Sequence, residues 1–224
     1  MIKKIGFILT ITSALFVQAQ STNMEIEHLH YTKNELALIN QKSNVMKFRV
    51  LQTTNAIDYK ILRAQNQDLN PTDPATKKLA ERMLVTVQDK DSRGVGIAAP
   101  QIGINRNAFW IQRFDKASAP FEFFINPKII WYSDIKREGR EGCLSIPDIT
   151  GEVIRSLAVR ITYYDLNGNF YDEVLEGFTA VIAQHEYDHL LGKLFPDRLK
   201  EQEQKTFDLA EKNTKLLYEQ KASE

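Results

Sequence analysis

Apolar positions along the chain follow more than one rhythm. After a turn at Asn70–Pro74, in which Asp73 can cap and Pro74 can open a helix, the segment Ala75 to Gln88 places Leu79, Met83, Leu84 and Val87 on one face at helical spacing. That face reads as core packing. Between residues 94 and 175 the pattern shortens. Ala108–Phe114, Phe121–Ile125, Ile129–Tyr132 and Leu157–Tyr164 are β-branched and aromatic, with Gly, Pro and Asn between them, which predicts short strands. Asp165–Gly168 predicts a hairpin turn, with Asn167-Gly168 its strongest signal. Helical character returns over Thr179 to Leu191, with Thr179 as cap and Gly192 as stop. Lys200 to Ala222 predicts a third helix, charged and amphipathic, able to pack through Phe207, Leu209, Ala210, Leu216 and Leu217. No internal repeat or low-complexity tract is present.

The first 47 residues read differently. Lys3 and Lys4 precede an uncharged run from Ile5 to Val17, and Val17-Gln18-Ala19 resembles a cleavage site. This predicts a secretory signal peptide over residues 1–19 and hence an exported protein, periplasmic or extracellular; unused, the signal would leave it cytoplasmic. The run is short of the roughly 20 residues a spanning helix needs, and no other membrane-length segment follows, so no transmembrane segment is expected after cleavage. Residues 20–47 form a polar N-terminal extension with a helical stretch from Lys33 to Ile39 and no evident site. His28 and His30 lie in it and read as surface histidines.

Composition narrows the class. With 29 basic and 29 acidic side chains in 224 residues, 43% hydrophobic, the chain has an ordinary globular balance and room for a sizeable core. Zero net charge argues against a general nucleic-acid binder, which needs a basic surface to neutralise phosphates. A single cysteine, Cys143, excludes an internal disulfide.

The candidate chemistry sits in the helix at 179–191. Gln184-His185-Glu186-Tyr187-Asp188-His189 contains H-E-x-x-H, a rare pattern by chance in a chain with four histidines. Residues four apart on a helix point nearly the same way, about 6 Å apart along the axis, so His185 and His189 can grip one ion. Glu186 can then reach a coordinated water as general base. Two histidines leave the site incomplete, since a catalytic metal of this kind usually has three protein ligands. Three positions come into question on the residues alone. The histidine of H-E-x-x-H-x-x-G-x-x-H is replaced by Phe195, which cannot coordinate; a downstream carboxylate such as Asp197 or Glu201 is a second option; the Cys143 thiolate is a third.

Three stretches resemble the motifs of the peptide deformylases. Glu141-Gly142-Cys143-Leu144-Ser145 is similar to E-G-C-L-S, Gly94-Val95-Gly96-Ile97-Ala98-Ala99-Pro100-Gln101 to G-x-G-L-A-A-x-Q with Ile97 for Leu, and Gln184–His189 to Q-H-E-x-D-H. They come in the family's order, within a catalytic domain expected at about residues 48–199, with the C-terminal helix at 200–224. The resemblance implies an α+β fold, antiparallel strands around a central helix that carries the histidines. It also implies Cys143, His185 and His189 as metal ligands and Glu186 as acid/base. Gln101 and the Leu144 N–H would be the oxyanion donors, and Gly94, Val95 and Gly96 the loop along the substrate. Val95 and Ile97 are candidates for an apolar wall. The implied metal is Fe(II), with Zn or Ni possible, and the implied substrate an N-formylmethionyl peptide or protein. The competing readings are a zinc endopeptidase using H-E-x-x-H with a downstream carboxylate, and a non-catalytic formyl-peptide- or metal-binding protein on the same fold. Export and the 20–47 extension are departures from the family.

Overall fold

The computed structural model describes residues 29–41, 47–90 and 94–220. The expected signal peptide, half of the 20–47 extension and His28 lie outside the described residues. Among the described residues no helix is long and apolar enough to cross a membrane.

Three helices come first. Helix α1 (Lys33–Asn40) starts in a capping box, in which Thr32 and Glu35 satisfy each other's backbone N–H groups. Helix α2 (Ala56–Leu62) is capped by Asn55, and α3 (Pro74–Val87) by Asp73 with Pro74 in its first turn, as the sequence predicts. The five-stranded sheet follows, in the order β1 (Gly96–Ala98), β2 (Ala108–Gln112), β3 (Phe121–Tyr132), β6 (Ala158–Tyr164), β7 (Phe170–Glu176), with every pair antiparallel. Its two faces explain the unbroken apolar run in β2. Trp110 and Phe123 pack with Leu79, Met83 and Val87 of α3. Phe109, Ile111 and Phe124 pack on the other side, with Ala180, Ile182 and Ala183 of α4 (Gly177–Leu190). A strand buried on both faces has no polar alternation to show.

A second, four-stranded sheet runs β5 (Ile146–Ser156), β4 (Ile135–Cys143), β9 (Leu216–Glu219), β8 (Phe207–Leu209). Helix α5 (Phe195–Gln202) packs on it through Phe195 and Leu199, against Ile146 and Val153. The whole is the expected α+β arrangement of antiparallel strands around a central helix.

Several expectations need correction. The helix at 200–222 is not formed: α5 ends at Gln202, and residues 207–219 make a β-hairpin whose second strand pairs with β4, Lys136 opposite Leu217. The open edge of β4 offers backbone partners that outweigh local helix propensity. The strands at 121–125 and 129–132 are one, continuing through Pro127 by a bulge at Asn126, whose φ is +49°. Thr179 does not cap α4, which begins at Gly177; its buried hydroxyl accepts from the Asp115 N–H at 3.1 Å. Within the N-terminal extension, residues 29–41 pack on the body. Ile39 is fully buried in the core, and buried Arg106 grips both carboxylate oxygens of Glu35 at 2.8 Å. His30 is exposed, as expected.

Candidate metal centre and active-site cleft

Helix α4 carries the site because its polar side chains leave in different directions, each to a fixed partner. Gln184 turns to the end of β5, accepting from the Ser156 N–H at 3.1 Å and donating to the Ser156 carbonyl at 2.8 Å. Asp188 turns to Arg155 and Arg198. His185 and His189 share the remaining direction, with ring centroids 5.2 Å apart. Just past its C-terminus Gly192 adopts φ +66°, and a Cβ there would lie 2.7 Å from the Arg63 carbonyl oxygen. Asn66 donates to the carbonyl of Leu190 at 2.8 Å, which settles a terminal acceptor.

Cys143 arrives from the end of β4, where the chain turns into β5. Its sulfur is 3.3 Å from His189 Nε2, and the donor atoms of Cys143, His185 and His189 all lie within 4.8 Å of one another. Burial alone would raise the thiol's pKa; the charges and hydrogen bonds of the two histidines outweigh it and hold it well below the usual value. A thiolate and two imidazoles are a donor set for Zn or Fe(II). His185 Nδ1 is tied to Glu141 Oε2 at 2.8 Å, which leaves Nε2 for an ion. Both oxygens of Glu141 are held in turn by one edge of Arg155, Nε and Nη2, at 2.8 and 2.9 Å.

The other completions fail on geometry. Phe195 is buried in the core of the second sheet. Asp197 pairs with Arg63, and Glu201 with Lys193 and Arg198.

Glu186 is buried beside the cluster, and its Oε2 has no hydrogen-bond partner among the described residues. Burial pushes its carboxyl up to about 7, against the pull of His185 and His189. Gly96 makes room for it, since a Cβ there would run into Glu186 Oε1. Gln101 sits in a 3₁₀ turn (Ala99–Ile102) with Oε1 accepting from the Ala98 N–H at 2.9 Å. That fixes the amide so that Nε2 points at Ser145 Oγ, 3.2 Å away, and at the Cys143 sulfur, 3.5 Å away. Leu144 follows the cysteine, its carbonyl held by Gln52 Nε2 at 3.0 Å.

Most of these groups open on one cleft of about 630 Å³, with His189 buried behind its wall. Gly94, Val95, Gly96, Gln101, Cys143, Leu144, His185 and Glu186 line it, and Phe178, Val181 and Ile182 add an apolar wall from α4. The two glycines therefore have different tasks. Gly94 lies on the cleft, where a Cβ would crowd Leu144 Cδ1 at 3.2 Å, whereas Gly96 admits the buried carboxylate. Ile97 is absent from the wall; it is fully buried in the core beside α3, so only Val95 of the two candidates faces the cleft. The sequence shows no role for Glu141, Arg155, Asp188 or Arg198. The first and third stood inside the motifs; the two arginines left no local signal.

Such a cleft over a buried thiolate–imidazole pair, with an acid waiting beside it, defines a metal-dependent hydrolase. Residues 51–205 match the family model for polypeptide deformylase. A peptide deformylase of Thermotoga neapolitana is 41% identical over 140 residues, covering 62% of this chain and 82% of that one. Another, from Caulobacter sp. (strain K31), is 39% identical over 153 residues, 67% of this chain and 87% of its own. The Thermotoga maritima peptide deformylase crystal structure superposes with a TM-score of 0.61 at 34% identity, over 68% of this chain and 97% of that one. A Met-Ala-Ser complex of the Acinetobacter baumannii enzyme gives 0.58 at 34% identity, with 67% and 97% covered. The chain belongs to the peptide deformylase family, metal-dependent hydrolases that remove formyl groups from peptides.

Proposed function

We propose that Cys143, His185 and His189 hold one Fe(II) ion and that the protein deformylates N-formylmethionyl peptides or proteins in an exported compartment. The convergence of the Cys143 sulfur on the two imidazoles carries the ligand assignment. Fe(II) is favoured by the family resemblance, with Zn or Ni able to use the same donors. When bound, such an ion polarises a carbonyl and acidifies a coordinated water.

The chain's own groups do the rest. Glu186 takes a proton from the attacking water at Oε2 and returns it to the amine nitrogen as the C–N bond breaks, so that formate and a free amine leave. A carboxyl pushed up by burial suits both transfers. Gln101 Nε2 and the Leu144 N–H donate to the carbonyl oxygen as it gains charge; Gln101 costs little to reorganise because Oε1 is already tied down. Gly94, Val95 and Gly96 run along the substrate, and Val95 with Phe178 and Val181 meets the methionine side chain. The relative solved with Met-Ala-Ser supports the substrate class, since that tripeptide is what deformylation of formyl-Met-Ala-Ser leaves.

Metal-loaded protein is therefore expected to release formate from formyl-Met-Ala-Ser in proportion to its bound Fe(II) or Ni. Peptide-bond cleavage instead, or bound metal with no formate release, would favour the endopeptidase or the binding protein. Export rests on Lys3, Lys4, the run to Val17 and the Val17–Ala19 site. Mass spectrometry of the native N-terminus after cell fractionation tests it. A chain beginning at Gln20 outside the cytoplasm is expected; a cytosolic chain beginning at Met1 would remove this part of the proposal.

A further inference from the structure

On another flank of α4, where Gln184 and Asp188 emerge, lies a second, open cavity of about 330 Å³, lined by β4, the end of β5, α5 and the C-terminal hairpin. We propose that this cavity binds a small free oxyanion, inorganic or a carboxylate, separately from the formyl-peptide substrate.

Four cationic side chains line it, Lys136, Arg155, Arg198 and Lys205, against three carboxylates, Asp188, Glu201 and Glu219. The pairings are shared. Arg155 and Arg198 both take Asp188, and Lys136 and Lys205 both take Glu219. Adding the partners behind the wall, Lys193 on Glu201 and Glu141 on Arg155, gives five cations for four carboxylates among the described residues. One positive charge is left over, and Lys136 carries most of it. Its Nζ is 3.6 Å from Glu219, outside hydrogen-bond range, and its side chain is only 20% exposed. Lys205 takes the same carboxylate at 2.7 Å. Sharing one carboxylate with Lys205 leaves the Lys136 ammonium with N–H donors that an anion in the cavity can use. Tyr132 adds a neutral donor at the wall, its phenol pushed up to about 12 by burial. The volume admits a sulfate-sized ion with room for a small organic group.

Titrating the metal-loaded protein with sodium sulfate, and separately with sodium acetate, at constant ionic strength in chloride tests this by calorimetry. Saturable binding of one anion per chain is expected. The tighter of the two salts identifies an inorganic or a carboxylate ligand. Lys136→Met should weaken that binding at least fivefold; Lys205→Met gives the same reading if Lys136→Met fails to fold. Glu219→Gln, which frees both lysines, should tighten it at least threefold. Saturation by neither salt would overturn the proposal, as would affinities unchanged across the variants, or competition between the anion and Met-Ala-Ser.

Discussion

Arg155 and Arg113 are both buried guanidiniums ringed by carboxylates, and they hold different kinds of charge. Arg113 takes Asp115, Glu122 and Glu173, whose side chains are 21–28% exposed. Arg155 takes Glu141 and Asp188, which are 7% and 3% exposed. Water can readily solvate the first set if the arginine is lost; the second, at the walls of the two cavities, is far less open to it. The first network ties the β2–β3 loop to β7. The second holds a carboxylate that orients His185, so its strength is spent on aiming a ligand. Buried ion pairs add little net stability, yet losing one partner is expensive because the other charge is stranded.

The largest effect should come from Arg155→Met. It strands Glu141 and Asp188, so urea unfolding should show a loss of about 3–5 kcal/mol, with metal content falling as well. If it costs no more than Arg113→Met, the contrast fails. Glu141→Gln keeps the shape but removes the charge behind His185. Chelator competition should show metal affinity down by roughly 10–100-fold with the fold retained.

The third effect is on pH dependence. Burial alone would raise the Glu141 carboxyl, but hydrogen bonds from Arg155 and His185, with their charges, hold it at about 2, below the ordinary 4.5. A depressed carboxyl stabilises the folded state fully above its unfolded value. That contribution, on the order of 3 kcal/mol, is lost as pH falls from about 4.5 through 2. Urea midpoints of metal-free protein should fall steeply in that window, and less steeply in Glu141→Gln. Equal slopes would remove Glu141 from the account.

Arg113→Met should be the mildest, costing about 1–3 kcal/mol because its partners regain water. Metal affinity and kcat/KM per folded molecule should stay within about twofold. A large loss of metal would mean that the two networks are not separate.

The same contrast shows what the chain makes legible. Helix α3 and the histidine helix follow from local periodicity and spacing, and the turn at Asp165–Gly168 from its residues. Cys143 joins the histidines only through the E-G-C-L-S resemblance, since a lone cysteine carries no partner signal. Strands β4 and β5 were missed because their sequences, such as Lys136-Arg137-Glu138-Gly139-Arg140, show no apolar alternation. The Glu141–Arg155 and Arg155–Asp188 bonds span 14 and 33 residues and have no local pattern. The C-terminal hairpin reads as a helix in sequence because its pairing strand, β4, has no local signal either. How residues 29–41 pack is not legible locally, because Arg106, which binds Glu35, lies 71 positions away.

The most direct measurement compares Glu186→Gln and Cys143→Ser with the parent, each assayed on formyl-Met-Ala-Ser after Fe(II) loading, with bound metal quantified in the same samples. The account predicts that Glu186→Gln keeps one metal per chain while formate release falls at least a thousandfold, and that Cys143→Ser loses the metal and the activity together. Full turnover in Glu186→Gln, or full metal in Cys143→Ser, would contradict it.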